Sequence, residues 1–177
     1  MKVELKVLIE KLNPLARGAL ESAAELCVRQ SNYNVELEHY LRTVLDRTDS
    51  DVQVILRQYD VDQARLLDEL TRAIESFARG NTRTPALSPN IPRLLERAWS
   101  VASLQLGGQQ IRSGTLLVAA LTDSALRGVL QESAPSLLHI PRDRREADLG
   151  ELLAHSPEGP AKLDAGRLDA GRRDPGA

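Results

Sequence analysis

The chain has 177 residues, 42% of them apolar, and its 23 lysines and arginines against 25 acidic residues leave a formal net charge of −2. That length suffices for one core and a tail, and the near-neutral balance argues against a dedicated nucleic-acid binder, which carries a clustered basic surface. No apolar run approaches the roughly 20 residues that span a bilayer, Met1-Lys2-Val3-Glu4 lacks the layout of a secretory signal, and the lone Cys27 excludes a disulfide framework, so a reducing, cytoplasmic location is expected.

Val3 to Lys11 reads as a short helix with Leu5, Leu8, Ile9 and Leu12 on one side. Asn13 and Pro14 form a helix start, cap followed by first-turn proline, and this second helix runs to about Gln30. Ser31 to Asn34 is a polar loop. Helices are expected from about Glu36 to Arg47, then from a cap in Thr48-Asp49-Ser50 to near Tyr59. The next is capped by Asp62, with Leu66, Leu67, Leu70, Ile74 and Phe77 in helical spacing. Gly80 to Pro85 breaks the chain. Ser88-Pro89 starts another long helix, which Gly107-Gly108 ends. Ser113 to Leu121 and Ala125 to Glu132 follow, Pro135 and Pro141 bracket a loop, and Asp143 to Ala154 makes a last helix.

Two stretches of this chain are diverged copies. Ala16, Ala19, Leu20, Ala23 and Cys27 match Ile91, Leu94, Leu95, Ala98 and Ala102, each pair 75 positions apart, and both sets follow the i, i+3, i+4, i+7, i+11 stripe of a one-sided helix. The match then slips by one, so that Val35, Leu41, Val44 and Leu45 pair with Ile111, Leu117, Ala120 and Leu121. After a shortened turn, Val52, Ile55 and Leu56 pair with Leu126, Val129 and Leu130. A unit this small buries too little surface alone, so the two should share one core. The expectation is an all-α domain of about eight helices spanning residues 1–158, with repeats at about 13–79 and 88–155. After about Ser156 the chain should be disordered, and the mixed-charge, glycine-punctuated segment 159–177 has the composition of a flexible linker.

The residues offer little chemistry. There is no G-x-x-x-x-G-K-[ST] phosphate loop and no H-E-x-x-H, and one cysteine with three scattered histidines makes no metal cluster. No catalytic residue, metal or cofactor is assigned. Cys27 and His39 could be paired as nucleophile and base, but a cysteine on an apolar stripe more often fills core space. His39 beside Glu38 could be a proton carrier, but at a helix start the pair reads more simply as a local helix-start and packing pair.

The run Tyr33-Asn34-Val35-Glu36-Leu37-Glu38-His39-Tyr40-Leu41 resembles the Glu-His signature of Clp N-terminal domains, the double helical repeats that precede the ATPase modules of Clp unfoldases. Leu12-Asn13-Pro14, Ala19-Leu20-Glu21-Ser22-Ala23-Ala24 and Arg112-Ser113-Gly114-Thr115-Leu116-Leu117 carry the resemblance further. In the last of these the second repeat departs from the Glu-His pair. The extra segment before Leu12 and the stretch Gly150 to Glu158 are similar to the ClpV (TssH) branch, which serves type VI secretion. The resemblance covers roughly residues 3 to 158.

It implies two pseudo-twofold four-helix repeats with an extra N-terminal helical segment. In the full-length protein it implies a homo-hexamer with AAA+ modules, which are absent here. It also implies recognition of an N-terminal helix of the larger sheath subunit, VipB or TssC, for ATP-driven disassembly of the contracted sheath. The alternative is the N-domain of a general Clp chaperone that receives adaptors or degraded substrates. The stripe Leu5, Leu8, Ile9 and Leu12 then has two readings. It closes the first repeat's core, or with Leu15 and the start of the second repeat, Leu87, Pro89, Ile91 and Leu94, it lines a groove for the partner helix. The resemblance favours the groove. No nucleic acid or membrane contact is expected.

Overall fold

Helix α1 (Leu5–Lys11) stands before the first repeat in a computed structural model that describes residues 4–105, 107–141 and 149–159. Repeat one follows as α2 (Pro14–Arg29), α3 (Leu37–Leu45), α4 (Asp51–Gln58) and α5 (Gln63–Glu75). The anticipated caps hold these starts. Asn13 Oδ1 accepts the Ala16 N–H at 2.9 Å, the Ser50 hydroxyl oxygen accepts from Gln53 and Asp62 accepts from Arg65. Helices α2 and α4 both end with a residue in the left-handed region, Ser31 at φ 54° and Asp60 at φ 52°. The following amides reach back, Asn32 N–H to Cys27 O and Val61 N–H to Leu56 O, which satisfies carbonyls the helix ends would otherwise leave open.

Repeat two is α6 (Asn90–Ser100), α7 (Ser113–Thr122) and α8 (Ser124–Ser133), with α9 (Leu149–Ala154) after it. Helix α6 runs into a π-helical turn, Val101–Gln105. Gly107 at φ 60° then lets the Gly108 N–H close on Ala102 O at 2.9 Å, the glycine stop read from the sequence. Every residue of α7 from Ser113 to Leu121 is buried, so it is a central helix enclosed on all sides. Its counterpart α3 is buried from Leu37 through Leu41.

The two repeats share a core. Helix α4 of the first packs on α7 of the second, α5 packs on α8, and α1 lies on α6. Their pseudo-twofold relation shows most directly in crossed backbone pairing. Strand β1 (Asn34–Val35) runs parallel to β2 (Ala86–Leu87), joining the first repeat's loop to the residues that lead into the second. The mirror pairing joins Leu12 to Ile111, with Ile111 N–H to Lys11 O at 2.7 Å and Asn13 N–H to Ile111 O at 2.9 Å. Leu12 and Leu87 are equivalent in the repeat, as are Val35 and Ile111.

Several expectations are corrected. The end of the polar loop at Asn34 is a strand. Its pairing is with a segment far away in sequence, and two residues are too few to show alternation. The loop bracketed by Pro135 and Pro141 contains a 3-10 turn, Pro135–His139, that buries Leu137. Leu67 sits in α5 but is exposed, and Phe77 lies beyond that helix with its ring against His39. The chain is not released at Ser156, which is 1% exposed; Ser156 to Gly159 are built into the fold. The early part of the expected last helix, 143–148, and the linker from 160 onward lie outside the described residues. Among the described residues, no helix is long and apolar enough to cross a membrane.

Candidate partner-binding site

The predicted groove residues fall into three groups. Leu8, Leu12, Ile91 and Leu94 are at most 3% exposed and belong to the common core. Leu5, Ile9 and Leu87 are half-buried and pack against that core. Leu15 is half-buried and Pro89 exposed, and neither joins the apolar cluster. The structure packs α1 against α6. The stripe is divided between the two uses: Leu8 and Leu12 face inward and close the core, while Leu5 and Ile9 keep accessible surface.

The seam carries a contact that periodicity did not single out. Lys11 Nζ lies 4.9 Å from the centre of the Trp99 ring, a cation–π pairing that ties the end of α1 to α6. Trp99 follows Leu95 by one helical turn, and that spacing was the available signal. Val7, on the outer side of α1, is 40% exposed. An apolar recess elsewhere, between α4, α7 and α9, is lined by Ile55, Leu117 and Leu121 among others and contains none of the predicted groove residues.

The Cys27–His39 pairing does not form. The thiol points at backbone carbonyl oxygens, Asn34 O at 3.2 Å and Asn32 O at 3.6 Å, and burial, with a contribution from Glu36, pushes its pKa up, away from the reactive thiolate. His39 is fully buried. Its Nδ1 accepts the Glu36 N–H at 2.9 Å, so the ring proton sits on Nε2, which donates to Asn32 Oδ1 at 3.0 Å. Burial lowers its pKa to about 4, which keeps it neutral. The Arg112 N–H and Thr115 hydroxyl oxygen repeat this capping geometry at the equivalent start of α7.

Glu38, 6% exposed, has one carboxyl oxygen, Oε1, with no hydrogen-bond partner. Burial is the main cause that raises its pKa to about 7, and nearby Glu36 adds to it, while the Glu38 amide and the Ser133 hydroxyl offset part of the rise. Among the described residues, no three histidine, cysteine or acidic side chains are placed to hold a metal ion.

This is a helical double-repeat domain whose repeats exchange short strands and whose N-terminal helix covers the second repeat. The profile of the Clp repeat (R) N-terminal domain matches residues 11–133, and the chain belongs to that family. It is 34% identical over 151 residues, 85% of its length, to the AAA+ ATPase ClpV1 of Pseudomonas aeruginosa. Over 158 residues, 89% of its length, it is 34% identical to the chaperone protein ClpB of Yersinia enterocolitica. It spans only 17% and 18% of those relatives.

Among solved structures, one from work on the ATPase ClpV, the TssB–TssC sheath and the HsiE protein of type VI secretion superposes with a TM-score of 0.84 at 33% identity. That match covers 89% of this chain and 97% of the other. A ClpV N-domain in complex with a VipB peptide superposes with a TM-score of 0.75 at 32% identity, over 90% of this chain and 97% of that one.

Proposed function

We propose that this chain is the substrate-recognition domain of a ClpV-type unfoldase and binds the N-terminal helix of the large type VI sheath subunit (VipB/TssC), presenting it to an ATPase for sheath disassembly. The observation that carries this reading is the likeness, over nine-tenths of the chain, to a ClpV N-domain that holds a VipB peptide. The accessible contact surface in this reading is Leu5, Ile9 and Leu87, flanked by Leu15 and Pro89, over a floor of Leu8, Leu12, Ile91 and Leu94. A partner helix with apolar residues at i, i+3, i+4 and i+7 suits such a face. The chain is the recognition part and not the motor, its site of action is cytoplasmic, and 159–177 leads toward an ATPase module.

The test is a titration with a synthetic VipB N-terminal peptide, followed by the fluorescence of Trp99, the only tryptophan and a member of the α1–α6 seam. A micromolar Kd, about −8 kcal/mol, is expected. Ile9→Asp with Leu87→Asp should abolish binding while leaving the helical content unchanged. Deleting residues 1–12 is the poorer test, because Leu8 and Leu12 are core residues. Binding that survives the double variant places the site elsewhere on the domain. The ClpB likeness favours a second reading, a general chaperone N-domain that takes adaptors or degraded substrates. In that case an unfolded protein such as reduced casein should bind as well as the sheath peptide.

A further inference from the structure

We propose that Glu158 is a positioning residue: it fastens the chain leaving the domain to the junction of α1 and α2, and through that junction sets how α1 is held over α6. Its carboxylate gathers donors from three separate helix starts. Oε1 accepts from Asn13 Nδ2 at 2.9 Å and from the Ser113 N–H at 2.7 Å, and Oε2 accepts from the Asp51 N–H at 2.6 Å and from the Ser113 hydroxyl. Asp51 and Ser113 are the first residues of α4 and α7, where unsatisfied N–H groups and the helix dipole favour a negative charge. Asn13 caps α2 and directly follows Leu12.

The surroundings fix this arrangement. Arg112 grips the buried Asp51 carboxylate through Nε at 2.9 Å and Nη2 at 2.7 Å, and also donates to Leu153 O at the end of α9. The Gly159 backbone lies so close to that guanidinium that a Cβ there would come within 2.8 Å of Nη1. The segment after α9 is thus held by hydrogen bonds at Glu158 and lies close against Arg112 at Gly159.

The path to α1 is short. Asn13, held by Glu158 through its side chain, donates its backbone N–H to Ile111 O, and Ile111 N–H donates to Lys11 O. Lys11 is the last residue of α1 and lies over Trp99. Glu158 therefore reaches the end of α1 through one side chain and one backbone bridge. In the proposed function α1 supplies Leu5 and Ile9 to the contact face, so partner affinity depends on a residue that does not touch the partner. The binding half of this inference rests on that reading; the structural half does not.

Two variants of the full chain test it, with amide hydrogen exchange by NMR and the VipB peptide titration as readouts. Asn13→Asp keeps the oxygen that caps α2 but replaces the donating Nδ2 with an oxygen that repels Glu158. Its α1 amides should exchange about tenfold faster and the peptide Kd should weaken several-fold, while α5 and α8 keep their rates. Glu158→Ala should in addition release the Asp51 and Ser113 amides. The inference is overturned if α1 exchange is unchanged in Asn13→Asp, or if α5 and α8 accelerate in step with α1. If the unsubstituted chain does not bind the peptide, the functional reading fails alone, and the exchange rates still decide the coupling.

Discussion

Glu38 and His39 are neighbours in the chain, both buried on α3, and burial drives their titrations in opposite directions. Unfolded, Glu38 ionises near 4.5; folded, it holds its proton up to about 7. The folded state therefore carries an extra proton across that window, and stability falls as pH rises through it, by about 3 kcal/mol in all. His39 does the reverse. It takes a proton near 6.5 unfolded and near 4 folded, so stability falls as pH drops through that range, by a similar ~3 kcal/mol. Between 4.5 and 6.5 the two slopes cancel. Glu38→Gln should uncover the His39 slope, becoming less stable on acidification from pH 6.5, and should be more stable than its parent at pH 8. Urea titrations at pH 4.5, 5.5, 6.5 and 8 measure this. A parent that loses stability on acidification from pH 6.5 as steeply as the variant would mean that Glu38 is ionised in the fold.

The Arg112–Asp51 pair joins the repeats through a fully buried carboxylate. Removing one partner leaves a charge without compensation, so Arg112→Leu should lose about 3–5 kcal/mol. The exposed Arg72–Asp68 pair, one turn apart on α5, offers the contrast: Arg72→Ala should cost at most about 0.5 kcal/mol. Equal losses in chemical denaturation would contradict this ranking.

Gly114 sits in the first turn of α7, where a Cβ would come within 2.7 Å of Leu153 Cδ2 and 2.9 Å of Asp51 Cβ. Alanine is the better helix former by about 1 kcal/mol, but crowding of this kind costs about 1–3 kcal/mol. The second effect should win, and Gly114→Ala should lower the Tm. A raised Tm would show that α4 and α9 can shift to make room.

Leu20 and Leu95 are equivalent residues in the two repeats, both buried in the same core. Truncation of either to alanine should cost about 2–5 kcal/mol. Because the core is common, each variant should still unfold in a single calorimetric transition. Two transitions, with only the mutated repeat shifted, would mean independent repeats.

The chain has no glycine loop with lysine to cradle phosphates. The purified chain should neither bind nor hydrolyse ATP in equilibrium dialysis and phosphate-release assays. Hydrolysis that a point substitution in this chain removes would overturn that expectation.

Much of the architecture was legible in the residues because it is written locally. Helix starts follow from Asn13-Pro14, Ser50 and Asp62, whose side chains reach only three residues ahead. The duplicated stripes Ala16–Cys27 and Ile91–Ala102 define inward faces by spacing alone. The family followed from the Glu-His run and its neighbours.

What periodicity could not decide is which of two apolar residues one turn apart ends up covered. Leu5 and Leu8 are alike in sequence, yet the first keeps surface and the second does not, because α6 lies under one side of α1. The crossed strands, Asn34–Val35 with Ala86–Leu87 and Leu12 with Ile111, depend on partners more than 50 residues away and leave no local pattern. Glu158 is the sharpest case. In sequence it is one charged residue at the edge of a tail-like segment. Only folding brings Asn13, Asp51 and Ser113 to it, since a carboxylate's partners are set by where helix starts converge and not by what stands beside it in the chain.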